Sequence, residues 1–344
     1  MDTYPIPARS LERYFKTNGN TLEKNYKENL SGFRDWEQAD HACDWVLLPE
    51  NMGEHLSIDE SMHQNDLFTF VSNKDGHGKK GTLIAVVRGT KASDVIKILK
   101  QLPEEKRLAV KEVTMDYSDS MHAIVEAAFP KADITIDVFH VIKNQCDALD
   151  ELRMRFKRKA ISEQGKEKAE FNKAKKRRKK AREYYRKTHP RKRGENRGRK
   201  RKRANKQFKP NELANGDTKV ELFTRARHIL SKSGEKWSES QKTRAELVFG
   251  FAPQIRKAHS LVCKLRCIFK NKKLSKETAR EKLKVWYKEV SESNIKELIA
   301  AKRTLKAKEE DVLNYFVNHA TNASAESLNS KMKGFRSELR GVRD

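Results

Sequence analysis

Between His55 and Phe139 apolar and polar residues alternate in short runs, and alternation at every second position predicts β-strands. The runs are HLSID (55–59), LFTFVS (67–72), TLIAVV (82–87), VKEVTMD (110–116) and ITIDVF (134–139). The apolar spacing turns helical near Ala92–Leu102 and again near Ser118–Phe129, and Gly76, Gly78, Gly81 and Gly89 mark turns among the early runs. Three strands in quick succession, then helix, strand, helix, strand, predict a mixed sheet that opens as an antiparallel meander and continues through crossover helices.

That order of elements is the one found in a ribonuclease H-like core. The rest of the chain reads as helix. Residues 1–50 are polar with scattered aromatic side chains, read as a short helical N-terminal segment that Pro49 ends before the first strand. After His140 the pattern is helical, and apolar residues recur at three and four spacing in Leu247, Phe251 and Ile255 and in Leu261, Leu265 and Ile268. A helix around Val312–His319, a polar break TNAS and a final helix from about Ala325 to Leu339 close the chain, the last with Leu328, Met332, Phe335 and Leu339 as its expected buried stripe. The expected organisation is a core in two pieces, 51–160 and 311–344, with a helical, strongly basic insertion at 161–310 before the last helix. The fold class is α/β, a mixed sheet with helices on both faces.

Charge sharpens this picture. The 344 residues hold 75 Lys and Arg against 48 Asp and Glu, a net charge of +27, so a polyanion is the expected partner. Lys173 to Lys209 supplies much of the excess, with 21 basic residues and only Glu183 and Glu195 in opposition. Its first part has helix formers throughout, whereas HPRKRGENRGRKRKR carries Pro190, Gly194 and Gly198 and is expected to stay flexible until it meets an anion; the whole run reads as a solvated arm, or as one resembling a bipartite nuclear-import signal. No apolar run approaches the roughly 18 residues of a membrane span, and the first thirty residues hold no signal-peptide core. Four scattered Cys make no disulfide framework, so a reducing compartment is expected. His259, Cys263 and Cys267 share a helical face but lack an evident fourth zinc ligand.

Candidate chemistry lies in three acids. In HLSID, Leu56 and Ile58 point to one face and Ser57 and Asp59 to the other, and in VTMD the apolar Val113 and Met115 leave Asp116 on the opposite side. Two strands that each end on a carboxylate can place them together at one sheet edge, where they repel unless a divalent cation bridges them. A lone Asp at a strand end also reads as a turn residue. On the final helix Glu326, Asn329 and Lys333 share a polar face, which by itself also reads as solvated, and Asn322 or Ser324 is placed to cap the helix start.

The segments HLSIDES, EVTMDYSDSMHAIVEAAFPKADITIDVFHVIKN and NASAESLNSKMKGFRSELRG resemble the signature blocks of the ISL-three family of DDE transposases. The most specific element is Asp137, Phe139, His140, Lys143 and Asn144, in the pattern DxFHxxKN. The resemblance implies a ribonuclease H-like catalytic core with an insertion between the second and third acids, and it assigns those acids to Asp59, Asp116 and Glu326. It further implies two Mg²⁺ ions, with Mn²⁺ as a substitute, Asp59 bridging them and Asp116 and Glu326 on one each. One such site serves both steps, DNA strand cleavage and attack by the freed 3′-hydroxyl, because only the nucleophile changes.

DNA, both insertion-sequence ends and target, is the implied partner, in a homodimer or higher synaptic assembly in the cytoplasm of a prokaryote, associated with the nucleoid. Expected DNA contacts are His140, Lys143, Asn329, Lys333, Lys176, Arg177, Arg178, Arg199 and Arg201, with a helix-start role as the other reading of His140. Asp119 is expected to cap the following helix and Glu60 to face the apolar side of its strand. Family members generally begin with a Cys-rich zinc-binding segment and a helix-turn-helix, whereas only Cys43 precedes Asp59 here. The expected end-recognition module is therefore reduced, part of a longer protein, or separately encoded. Two other classes remain in view: a decayed or recruited transposase that binds DNA without cutting, and a basic RNA-binding protein that acts through its arm.

Overall fold

A computed structural model describes residues 6, 8–63, 66–77, 79–190 and 207–338. The chain forms two compact units, one of residues 1–142, 268–283 and 304–344, the other of 143–267 and 284–303. In chain order the helices and strands are α1 (Ala8–Phe15), α2 (Gly19–Asn25), β1 (Trp45–Leu47), β2 (His55–His63), β3 (Asp66–Asn73), β4 (Leu83–Arg88), α3 (Ala92–Leu99), α4 (Glu104–Leu108), β5 (Glu112–Met115), α5 (Asp119–Ala128) and β6 (Asp133–Ile136). There follow α6 (Val138–Thr188), α7 (Lys219–Leu230), α8 (Glu239–Phe251), α9 (Pro253–Lys270), α10 (Lys276–Glu292), α11 (Lys296–Ala307), α12 (Glu309–Leu313), α13 (Tyr315–Asn318) and α14 (Ala323–Glu338).

The first unit is built on a mixed six-stranded sheet in the order β1-β4-β3-β2-β5-β6. Strands β1, β4, β3 and β2 pair antiparallel, and β2, β5 and β6 run parallel. The five runs of alternating residues all become strands, with three differences. Residues 45–47, in the segment read as helical, add β1 at the sheet edge, where Trp45 and Val46 gain ladder partners on β4. β2 does not stop at Asp59 but continues to His63, because β3 pairs with it along its whole length. β6 ends at Ile136, and Val138 and Phe139 begin α6 instead of extending the strand.

One face of the sheet is apolar: Leu56, Ile58, Val113, Met115 and Ile136 are fully buried. Helices α3 and α5 pack on each other, α3 also on β4 and α5 on β5. The buried side of α5 is Met121, Ile124, Val125 and Ala128, and its N-cap is Ser118, whose hydroxyl accepts from the Met121 amide. Asp119 is therefore not the cap; it lies in the first helical turn, 2.5 Å from Lys308 Nζ.

The opposite face is polar yet equally buried, with Ser57, Glu112, Thr114 and Thr135 closed off from water. Burying such groups is costly unless each finds a partner. Lys74 Nζ donates to Glu112 Oε1 (2.9 Å) and Thr114 Oγ1 (2.8 Å), and Asn318 donates to the other Glu112 oxygen. Helix α14 packs on β2 and β3, and α12 packs on β6. The side of α14 that meets the sheet is Asn322 just before it, then Ala325 and Asn329, all buried, whereas Leu328 and Met332 of the expected stripe are half-buried. Polar strand residues opposite select amides for that contact. Phe335's side chain and Leu339 lie outside the described residues.

The second unit is helical. Leu149, Leu152, Leu222, Phe223, Val248, Ile255, Val262 and Trp286 are among its buried side chains, and Trp286 Nε1 donates to the Leu261 carbonyl (2.8 Å). Capping boxes start α7 (Thr218 with Glu221) and α8 (Ser238 with Gln241). Phe251, expected in the apolar stripe, is exposed, because α8 ends there and its buried residues are Ala245, Val248 and Phe249. From Gly165 to Thr188, α6 is exposed at every residue but Phe171.

Candidate active site

The first unit repeats one tripeptide pattern, hydroxyl–apolar–Asp, at the same level of three neighbouring parallel strands. The repeats are Ser57-Ile58-Asp59, Thr114-Met115-Asp116 and Thr135-Ile136-Asp137. Ser57 pairs with Thr114 across β2 and β5, and Thr114 with Thr135 across β5 and β6. Two residues further along, the same parallel registers bring Asp59, Asp116 and Asp137 to one level and, by the two-residue period, to the polar face. The Asp137 amide still donates to the Met115 carbonyl (2.9 Å), so the ladder carries through to the last carboxylate.

Each carboxylate is held. Asp59 Oδ1 accepts from the Glu60 amide (2.8 Å) and Oδ2 from Asn329 Nδ2. Asp116 Oδ1 accepts from Asn322 Nδ2 (3.3 Å), an amide that also donates to the Ile58 carbonyl and accepts from the Ser57 hydroxyl. His140 sits in the first turn of α6 with Nδ1 3.0 Å from Asp116 Oδ1 and 3.5 Å from Asp137 Oδ2. Ligand atoms of Asp116, Asp137 and His140 all lie within 4.8 Å of one another, and among the described residues this is the one group of three or more His, Cys, Asp or Glu so arranged.

Negative charge accumulates here faster than it is balanced. Burial, and then the neighbouring Asp116 charge, push the Asp59 carboxyl up to about 6, with Glu326 adding to the rise. Burial also raises Asp116; His140 offsets part of the rise, and Asp137 and Glu326 reinforce it. Glu60, half-buried, is raised by burial and by Asp59. A bound cation would favour the ionised state of such groups and offset their mutual repulsion.

Of the sequence-predicted residues, Asp59 and Asp116 come together. Glu326, exposed in the first turn of α14, lies near enough for its charge to act on both. Asn329 is not an outward DNA contact: it is buried, and its amide is turned onto Asp59 because this side of α14 packs on the sheet. Asn322, at the cap position, likewise spends its side chain on the strands. His140 directs Nδ1 at the carboxylates, not outward. Lys143, Lys176, Arg177 and Arg178 are exposed on α6 and Lys333 on α14, whereas Arg199 and Arg201 lie outside the described residues. His259 is bound to the Lys232 carbonyl through Nε2 (2.8 Å) and packs on Trp237, and Cys267 is exposed, so this trio forms no metal-ligand group. Asp137 is not among the sequence-predicted site residues, although the third hydroxyl–apolar–Asp repeat marks it.

A family model described as a transposase, of the DDE ISL-three kind, matches residues 56–344. The chain belongs to this transposase family. No curated protein and no solved structure gives a match. The transposase match takes in Asp59, Asp116, Asp137, His140 and Glu326, and with it come DNA as substrate and the use of a divalent metal. The residues present fit such a metal: clustered carboxylates are hard oxygen donors, and the buried Asn329 Oδ1 beside Asp59 has no hydrogen-bond partner. Among the described residues of this transposase no helix is long and apolar enough to cross a membrane.

Proposed function

We propose that this transposase cleaves DNA strands at the ends of an insertion sequence and joins the freed 3′-hydroxyl to target DNA, using Asp59, Asp116 and Glu326 on a ribonuclease H-like core. The observation that carries the reading is that Asp59 and Asp116 each stand two residues beyond the paired Ser57 and Thr114 of adjacent parallel strands, with Glu326 close enough to perturb both. The strand order, three antiparallel strands leading into parallel crossovers with helices, supports that core.

Asp59, Asp116 and Glu326 would hold Mg²⁺ or Mn²⁺, which when bound activates the attacking oxygen and stabilises the leaving one in an in-line displacement at phosphorus. The protein's part is positioning. Asn322, just before α14, and Asn329 on it fix the rotamers of Asp116 and Asp59, so the helix that carries Glu326 is registered on the sheet by amide–carboxylate bonds. The exposed position of Glu326 leaves it accessible to an arriving phosphate and its cation. Lys143, Lys333 and the cationic stretch Lys176-Arg177-Arg178 supply phosphate-backbone contacts without sequence preference. Synapsis of two ends calls for a dimer or larger assembly.

The test is strand transfer on a pre-cut, labelled end duplex in Mg²⁺ and in Mn²⁺. Wild type is expected to join ends, and Asp59→Ala, Asp116→Ala and Glu326→Ala each to abolish joining while still binding the duplex. Joining that survives all three changes would overturn the assignment. Tight binding without joining by the wild type, even on pre-cut ends, would favour a transposase that binds DNA but no longer cuts.

A further inference from the structure

The three acids of the proposed mechanism leave Asp137 and His140 unused. The geometry points to a cation position formed by Asp116, Asp137 and His140, which takes a first-row transition-metal dication such as Mn²⁺ in preference to Mg²⁺. It rests on the transposase reading only in sharing Asp116 with it.

Three observations converge. First, Asp137 is nine-tenths buried, and its ion-pair neighbour among the described residues is His140 Nδ1, at 3.5 Å. That nitrogen is closer still to Asp116, at 3.0 Å, so one imidazole faces two carboxylates and cannot neutralise both. Burying a carboxylate is costly, and the strand register forces this one into place.

Second, the spacing is that of a coordination shell. Donor atoms at about 2.1 Å from an octahedral ion lie about 3 Å apart when adjacent. The nitrogen-to-oxygen separations of 3.0 and 3.5 Å are close to that spacing, and all three donors lie within 4.8 Å of one another, within the reach of one ion. Little movement is required, because Asp116 and Asp137 follow directly from paired strand residues and His140 is fixed on the first turn of α6.

Third, the donor set discriminates. Mg²⁺ prefers oxygen ligands and gives up water reluctantly, whereas first-row transition-metal dications bind imidazole nitrogen more readily, and Mn²⁺, the weakest binder of that series, also accepts carboxylates. A nitrogen with two carboxylates therefore favours Mn²⁺ over Mg²⁺ at this position.

The experiment uses the full chain and two readouts that do not depend on turnover. Electron spin-echo spectroscopy of the Mn²⁺-loaded protein is expected to show directly coordinated ¹⁴N, lost in His140→Gln. Equilibrium binding is expected to give at least tenfold tighter Mn²⁺ than Mg²⁺ at one site, with that preference lost in His140→Gln and Mn²⁺ affinity down tenfold or more in Asp137→Asn. The isosteric Asp137→Asn change also guards against misfolding, since the metal-free variant is expected to melt at or above the wild-type temperature and to lose part of the Mn²⁺-induced rise. Absence of ¹⁴N coupling in the wild type, coupling that survives His140→Gln, or equal Mn²⁺ and Mg²⁺ affinities would each overturn the assignment. Loss of the three-acid reading in the joining assay, with the ¹⁴N signal intact, would leave this site standing.

Discussion

Asn329, one turn beyond Glu326 on α14, donates its side-chain N–H to Asp59 Oδ2 in the middle of β2. A helix that carries one candidate acid thus holds another acid in position. Hydrogen bonds to charged groups contribute about 1.5–3 kcal/mol, and their loss also frees the carboxylate to rotate. Asn329→Ala is expected to lower metal-dependent joining about 10-fold or more at saturating DNA and to destabilise the protein by about 1.5 kcal/mol. Asn329→Asp should be worse for the metal-free protein, because it sets a like charge against Asp59. Joining rates and urea titrations of the two variants check the ranking; wild-type rates in Asn329→Ala would show that Asp59 needs no support from α14.

The burial of Asp59 also sets a pH dependence. Its carboxyl is raised from 3.8 to about 6, so between those values the folded chain keeps a proton that the unfolded chain has released. Stability of the metal-free protein is therefore fullest below the unfolded value and falls as pH rises through the folded one, with Asp116 acting in the same direction. Asp59→Asn is expected to flatten this decline and to be more stable than wild type at neutral pH. A divalent cation competes with the same proton, so metal affinity should weaken on acidification below about pH 6. Urea midpoints measured across this range, with and without Mn²⁺, test both statements; parallel curves for wild type and Asp59→Asn would refute the first.

Much of the first unit was legible because two-residue alternation is a strong signal when one strand face is apolar. Leu56 with Ile58 and Val113 with Met115 located β2 and β5 and put Asp59 and Asp116 on the other face. What alternation cannot disclose is register: only the pairing of Ser57, Thr114 and Thr135 brings the third carboxylate, Asp137, level with the first two. The helix α14 misled for a related reason. An apolar stripe is the usual mark of a packed helix face, but here the sheet side opposite is polar, so Asn322 and Asn329 are buried and Leu328 is only half-buried. β1 escaped notice because it has three residues and takes its stability from an edge pairing with β4.

In the second unit a buried charge offers a separate handle on stability. Asp217 is 1% exposed and accepts from Arg244 Nε (2.9 Å), from Arg225 and from Asn215. Burial alone would raise its carboxyl, but the two guanidiniums and the amide outweigh it and hold it below the ordinary value of 3.8. Its contribution is therefore present above the unfolded value and lost as pH falls through the folded one. Asp217→Ala strands Arg244 and Arg225; breaking a buried pair costs about 3–5 kcal/mol, and the partial exposure of both arginines places the expected loss near the lower end. Denaturation by urea at neutral pH measures it, and a loss under about 1 kcal/mol would mean that water replaces the carboxylate without penalty.

Lys176, Arg177 and Arg178 stand exposed on α6, in a stretch where nearly every side chain reaches solvent. Such a helix buries too little to be kept for packing, and its charges are available to a phosphate backbone. Each phosphate neutralised on duplex DNA contributes about 0.9 to the slope of log affinity against log salt, so changing all three residues to Gln should lower that slope by about 2.7. Anisotropy titrations on a random duplex between about 50 and 200 mM salt read the change. Joining on pre-cut ends at saturating DNA should be nearly unaffected, since in the proposed mechanism the arm acts on affinity and the acids on chemistry. The reverse ranking, with activity lost on neutralising the arm and kept on removing Asp59, Asp116 or Glu326, would favour a basic nucleic-acid-binding protein over a strand-joining enzyme.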